Sequence, residues 1–115
     1  MKKTVSIKSN RDFVRVYKKG RFVAGRYIVL YLLNNVLDIN RLGITASKKT
    51  GKSIKRNRIK RLVRENYRLG EDMVKSGYDL VFVIRSVNEM PDFYSIKREM
   101  NYLMRRLGII VEENK

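Results

Sequence analysis

Residues 41–65 read RLGITASKKTGKSIKRNRIKRLVRE, and this stretch predicts a strand, a basic loop and a helix in succession. Leu42, Ile44 and Ala46 alternate with Gly43, Thr45 and Ser47, the period-2 pattern of a half-buried strand. Lys48 to Lys52 forms a basic loop around Gly51, and Ser53 is placed to cap the helix that follows. If that segment is helical, Ile59, Leu62 and Val63 share one face. Asn57, Lys60, Arg61, Arg64 and Arg68 gather on roughly the opposite face. The pattern runs to about Leu69, before Gly70. The apolar face can dock on a core, while the other presents guanidinium forks, an ammonium and an amide. Planar Arg forks match phosphate oxygens bidentately, and Lys adds a point charge. A polyanion with a regular backbone, meaning nucleic acid, fits this face.

The flanking sequence supplies the rest of a small domain. Ser9 and Asn10 offer N-caps for a short helix over Asp12 to Lys18, ending before Gly20. Arg21 to Leu33 is rich in Val, Tyr, Phe, Ile and Leu and is broken at Ala24-Gly25, which predicts two strands or one bent strand. Asn34-Asn35 and Asp38 to Asn40 surround a turn. Tyr78 to Arg85 holds Leu80 to Ile84, a short buried strand. Pro91-Asp92 opens a last helix with an apolar stripe of Ile96, Met100, Leu103, Met104 and Leu107, ended by Gly108. The predicted order is αβββαβα. It is an α+β fold, an α/β sandwich, in a single domain over residues 1–115.

Composition narrows the function. At 115 residues with 43% apolar content, the chain can build one core. Its 27 Lys and Arg against 11 Asp and Glu give a net charge of +16, which costs stability through self-repulsion and points to a neutralising partner. From Lys48 to Arg68 there are ten Lys or Arg and one acid, Glu65. A merely solvated helix face usually alternates sign. Here Lys60 and Arg64, then Arg64 and Arg68, put like charges four residues apart, which weakens an isolated helix. There is no Cys and no His, which excludes disulfides, Cys/His zinc sites, a His base and a Cys nucleophile. Asp12, Asp38, Glu65, Asp79, Asp92 and Glu99 are scattered, while Glu71-Asp72 and Glu112-Glu113 read as solvated ends. All are expected to be ordinary surface carboxylates rather than a metal-assisted hydrolytic site. No phosphate-binding glycine fingerprint is present. No apolar run approaches a membrane span, so a soluble, cytoplasmic protein is expected.

Phe13 and Tyr17 stand four apart on the first helix, and Tyr27, Val29 and Tyr31 are expected on one face of a strand. Each alone reads as a core residue. Together, in so basic a domain, they could form a platform for unpaired bases.

Arg41 to Lys49, Gly51 and Arg56 to Glu65 together resemble the bacterial ribonuclease P protein subunit, whose signature is the Arg56-Asn57-Arg58 helix. Asp12-Phe13, Tyr17 to Gly20, Arg26 and Val29 to Tyr31 match the same pattern, so the resemblance covers nearly the whole chain. Ser53 and Tyr17 depart mildly from the family's usual Ala and Phe. The resemblance implies a ribonucleoprotein that removes the 5′ leader of precursor tRNA, with catalysis by the RNA subunit and the protein inactive alone. It implies a mainly antiparallel central sheet and a left-handed βαβ crossover. It assigns Arg56, Asn57, Arg58, Lys60, Arg61 and Arg64 to contacts with the catalytic RNA. Arg68 is added from the basic face. Lys48, Lys49 and Lys52 are assigned to phosphate. It assigns Phe13, Tyr17 and Tyr31 to a leader-binding cleft, with Val29 and Thr45 beside them. No catalytic residue and no tightly bound cofactor are expected of the protein. Mg²⁺ would serve the holoenzyme mainly through its RNA. The expected partners are the catalytic RNA and the leader, with no membrane and no small-molecule substrate. Three other readings compete. A ribosomal or assembly protein would show the same salt dependence without affecting tRNA maturation. A stand-alone nuclease would need clustered carboxylates. A membrane-surface role is disfavoured by a narrow aliphatic stripe without Trp.

Overall fold

The computed structural model describes residues 3–46, 53–85 and 89–111. The chain runs β1 (Thr4–Ser6), α1 (Asn10–Lys19), β2 (Arg21–Ala24), β3 (Ile28–Asn34), β4 (Asn40–Ala46), α2 (Ser53–Gly70), β5 (Tyr78–Ile84) and α3 (Phe93–Arg106), with a 3₁₀ turn at Glu71–Met73. The strands form one sheet in the order β1-β4-β5-β3-β2. β2–β3 and β3–β5 are antiparallel over four and seven aligned positions, and β1–β4 and β4–β5 are parallel over three and six. β4, α2 and β5 make a parallel βαβ crossover between adjacent strands. The expected order lacked β1, whose Thr-Val-Ser is too short to show a period. It forms only because β4 offers it an edge.

Alternation along the strands sorts side chains to two faces. Ile28, Leu30, Leu32, Leu42, Leu80, Phe82 and Ile84 point to a core closed by Ile59, Val63 and Tyr67 of α2 and by Ile96, Met100, Leu103 and Met104 of α3. Among the described residues, the opposite face is covered by α1, through Val16 with Ile7 and Val81, while Phe13, Tyr31, Leu33 and Val83 are only partly buried there. The caps fall where the sequence puts them. The Ser9 side chain accepts from the Asp12 amide, Asp92 accepts from the Ser95 amide at 2.7 Å, and Gly108 ends the last helix at φ +75°. The proposed Ser53 cap and the Lys48–Lys52 loop lie outside the described residues and side chains.

Several acids are structural rather than superficial, contrary to expectation. Asp79 is fully buried in β5. It accepts from Arg41 Nη2 at 2.6 Å and Nε at 2.8 Å and from the Asn35 amide at 3.0 Å. Burial pushes its pKa up, but the hydrogen bonds from Arg41 and Asn35 and the charges of Arg41 and Arg15 more than offset this and hold it below the usual value. Glu71 is buried and accepts from the Lys3 amide. Glu99 of α3 accepts from the backbone amides of Arg26, Tyr27 and Ile28 at 2.7, 2.8 and 2.7 Å, clamping the β2–β3 turn. These partners lie 38 to 73 residues apart in sequence, beyond the reach of any local pattern.

Candidate nucleic-acid interface

Because α1 covers only part of its sheet face, a trough is left open. The register places Ala24, Val29, Val83 and Thr45 side by side across β2, β3, β5 and β4, and the last three are half-buried. The next row is Phe22, Tyr31, Val81 and Gly43. Phe13 lies over Gly43, where a Cβ would sit 2.5 Å from its ring. Phe13 and Tyr17 have ring centroids 6.4 Å apart. Tyr17 meets Tyr31 edge-on at 5.0 Å, and Tyr31 stacks on Phe22 at 5.4 Å. Four rings thus line one wall. Tyr17 remains 38% exposed and Phe22 61%, an unfavourable arrangement for core aromatics and a suitable one for stacking. Burial and the neighbouring Tyr31 raise the Tyr17 pKa, so its hydroxyl stays protonated and neutral near pH 7.

Phe13, Tyr17, Val29, Tyr31 and Thr45 therefore gather as expected. Tyr27 does not. It precedes β3, is buried in the main core, and lies under Arg26, whose guanidinium carbon is 5.2 Å from the ring. The bend after Gly25 breaks the alternation that would have aligned Tyr27 with Tyr31. Phe22 and Val83 were missed. The β2–β3 pairing could have indicated Phe22, but only a known hairpin register puts it opposite Tyr31.

α2 brings the cations together. Ile59, Val63, Asn66 and Tyr67 are buried, and Asn57, Arg58, Arg61, Arg64 and Arg68 are exposed. By helical spacing, Arg56, Lys60 and Arg64 occupy the flank turned away from α3. Arg64 lines a small pocket of about 140 Å³ together with Ser6, Phe13 and Gly43, so the basic helix and the aromatic wall share a border. Arg68 is paired within the helix to Glu65 at 2.6 Å, which makes it less available to a partner. Lys48, Lys49 and Lys52 lie outside the described residues. Among the described residues, no three carboxylates converge to hold a metal ion, and Asp12 and Asp79 are neutralised by Arg15 and Arg41. No helix among them is long and apolar enough to cross a membrane.

Residues 1–108 match the family model described as Ribonuclease P. The chain is 44% identical over 104 residues to the ribonuclease P protein component of Clostridium botulinum, covering 90% of this chain and 94% of that one. Two solved structures share its architecture. The RNase P protein of Staphylococcus aureus aligns with a TM-score of 0.82 and 35% identity, over 91% of this chain and 96% of that one. That of Thermotoga maritima aligns at 0.79 and 31%, over 88% and 96%.

Proposed function

The chain belongs to the ribonuclease P protein family, subunits of an endoribonuclease holoenzyme, and from that premise we propose a division of labour between its two surfaces. α2 holds the RNA subunit by its phosphates, through Asn57, Arg58, Arg61 and Arg64 with Arg56 and Lys60 on the flank. The trough takes the 5′ leader of precursor tRNA as a single strand. Its bases stack on Phe13, Tyr17, Tyr31 and Phe22 over a floor of Val29, Val83 and Thr45. Arg64, at the border of helix and trough, meets the leader where it passes towards the RNA. The chain offers positioning and charge: it has neither His nor Cys, and no three carboxylates converge among the described residues. Mg²⁺ would supply the hydrolytic chemistry through the RNA subunit, while the chain's own residues bind and orient. This work belongs in the cytoplasm, with tRNA maturation.

The observation that carries this reading is the continuous, half-exposed ring wall that ends at the basic helix. It is tested by Tyr17→Ala in the reconstituted holoenzyme. Losing one stacked base costs about 1–3 kcal/mol, so affinity for precursor tRNA should fall roughly 5–150-fold. Affinity for mature tRNA and for the RNA subunit should hardly change, and Tyr17→Phe should be nearly neutral. An equal loss for precursor and mature tRNA, with a lowered denaturation midpoint, would mean that Tyr17 serves only the core.

A further inference from the structure

α3 carries a second basic face that neither the trough nor α2 uses. Tyr94, Arg98, Asn101 and Arg105 stand at positions i, i+4, i+7 and i+11, and all four are exposed. Asn57, Arg61, Arg64 and Arg68 have the same spacing on α2. Such a row extends about 16 Å along one helix side. Lys97 and Tyr102 flank it, and Arg106 lies over the Tyr102 ring at 6.0 Å. The one acid of α3, Glu99, is turned inward onto the amides of residues 26–28. Lys97 and Arg105 have no carboxylate partner among the described residues. A face that served solubility alone would mix signs. Beside it, a groove of about 250 Å³ separates α3 from α2. It is lined by Leu69, Tyr94, Lys97, Asn101 and, at its base, Met100 and Met104. Tyr94 is 63% exposed at its rim.

We propose that this face is a second RNA-binding surface, on which an irregular element of the RNA subunit lays its phosphates along Lys97, Arg98 and Arg105 and stacks an unpaired base on Tyr94. The proposal rests on α2 being the first such surface. α2 and α3 cover the same side of the sheet, so their basic faces look outward together, while the trough opens on the other side. One RNA can therefore cross both helices and meet the leader path only at its border, beside Arg64. A second copy of this chain is a poor occupant, because each copy carries +16.

The test uses the full chain with its RNA subunit and reads the dissociation constant against salt for a small set of variants. Lys97→Gln with Arg105→Gln should weaken binding about tenfold. It should also reduce the salt slope by about 0.7–0.9 for each phosphate no longer neutralised. Lys8→Gln with Lys75→Gln removes the same charge from exposed positions elsewhere and should change affinity less than about threefold if local contacts, rather than net charge, dominate. Arg61→Ala is the reference for α2. Tyr94→Ala should weaken binding at least about fivefold, and Tyr94→Phe should restore it. The preference for precursor over mature tRNA should stay unchanged throughout. If the α3 pair behaves like the Lys8 and Lys75 pair while Arg61→Ala weakens binding, the α3 surface is refuted and the α2 reading stands. If Arg61→Ala also has no effect, the α2 reading fails as well. A loss seen only with precursor tRNA would assign the face to substrate and overturn the proposal.

Discussion

Gly43→Ala probes the trough at its tightest point. The added Cβ would stand 2.5 Å from Cε1 and 2.8 Å from Cζ of Phe13. Carbon atoms prefer about 3.5–4.0 Å, so the ring must retreat by about 1 Å or more. Overpacking of this kind costs about 1–3 kcal/mol. Gly43 lies in a strand without a positive φ, so Ala also recovers about 0.4–1 kcal/mol by restricting the unfolded chain. The expected net loss is between about 0 and 2.6 kcal/mol, centred near about 1.3, read as a lower urea midpoint with an unchanged slope. The displaced ring also leaves its place beside Tyr17, which breaks the stacking wall at its end nearest Arg64. Affinity of the holoenzyme for precursor tRNA should therefore fall, while mature tRNA binds as before. Adding Phe13→Leu should return most of the stability by making room for the Cβ. It should not return leader affinity, because Leu has no ring to stack on. If Gly43→Ala leaves both the midpoint and precursor affinity untouched, Phe13 does not rest on Gly43 and the packing account is wrong. If the double variant regains full leader affinity, the ring at position 13 is not part of the platform.

Asp79→Asn should cost about 3 kcal/mol, towards the low end for breaking a buried pair, because Asp12 still faces Arg41 at 3.2 Å. The Asp79 pKa is depressed by folding, so its contribution is present above the ordinary carboxylate value and is lost as pH falls through its lower folded value. Chemical denaturation below about pH 4 should accordingly show a shallower pH slope in the Asp79→Asn variant than in the parent. Glu99→Ala should cost about 2–4 kcal/mol by freeing three amides of the β2–β3 turn, and hydrogen exchange at Arg26, Tyr27 and Ile28 should quicken selectively. Protection elsewhere in the sheet should persist; uniform quickening would mean that Glu99 supports the whole fold rather than the turn.

Legibility followed range along the chain. α1 and α3 were readable because each carries its caps and apolar stripe within one segment, and α2 because its apolar stripe alone is periodic. β4 and β5 were readable from alternation or a bounded apolar run. β1 was not, since three residues carry no period and its hydrogen-bonding partner stands 36 positions away. The trough was half legible. Phe13 and Tyr17 announce themselves by helical spacing, but Phe22 and Val83 join them only through strand pairing. Tyr27 looked like a member of the platform and is core, because a bend at Arg26-Tyr27 shifts it off the face of Tyr31.

By itself, the sequence determined the element types, the amphipathic basic helix, the absence of His and Cys chemistry, and a family-level match that spans the chain. These depend on side chains a few residues apart, whose spacing the regular backbone converts directly into faces. Tertiary structure alone decided which acids became buried supports, where β1 attaches, how α1 covers only part of its sheet face, and that Arg64 borders the Phe13 wall. Those outcomes depend on strand order and register. Both are settled by the total burial of the assembled core and by the need to pair every buried polar group, and neither quantity exists until the distant segments meet.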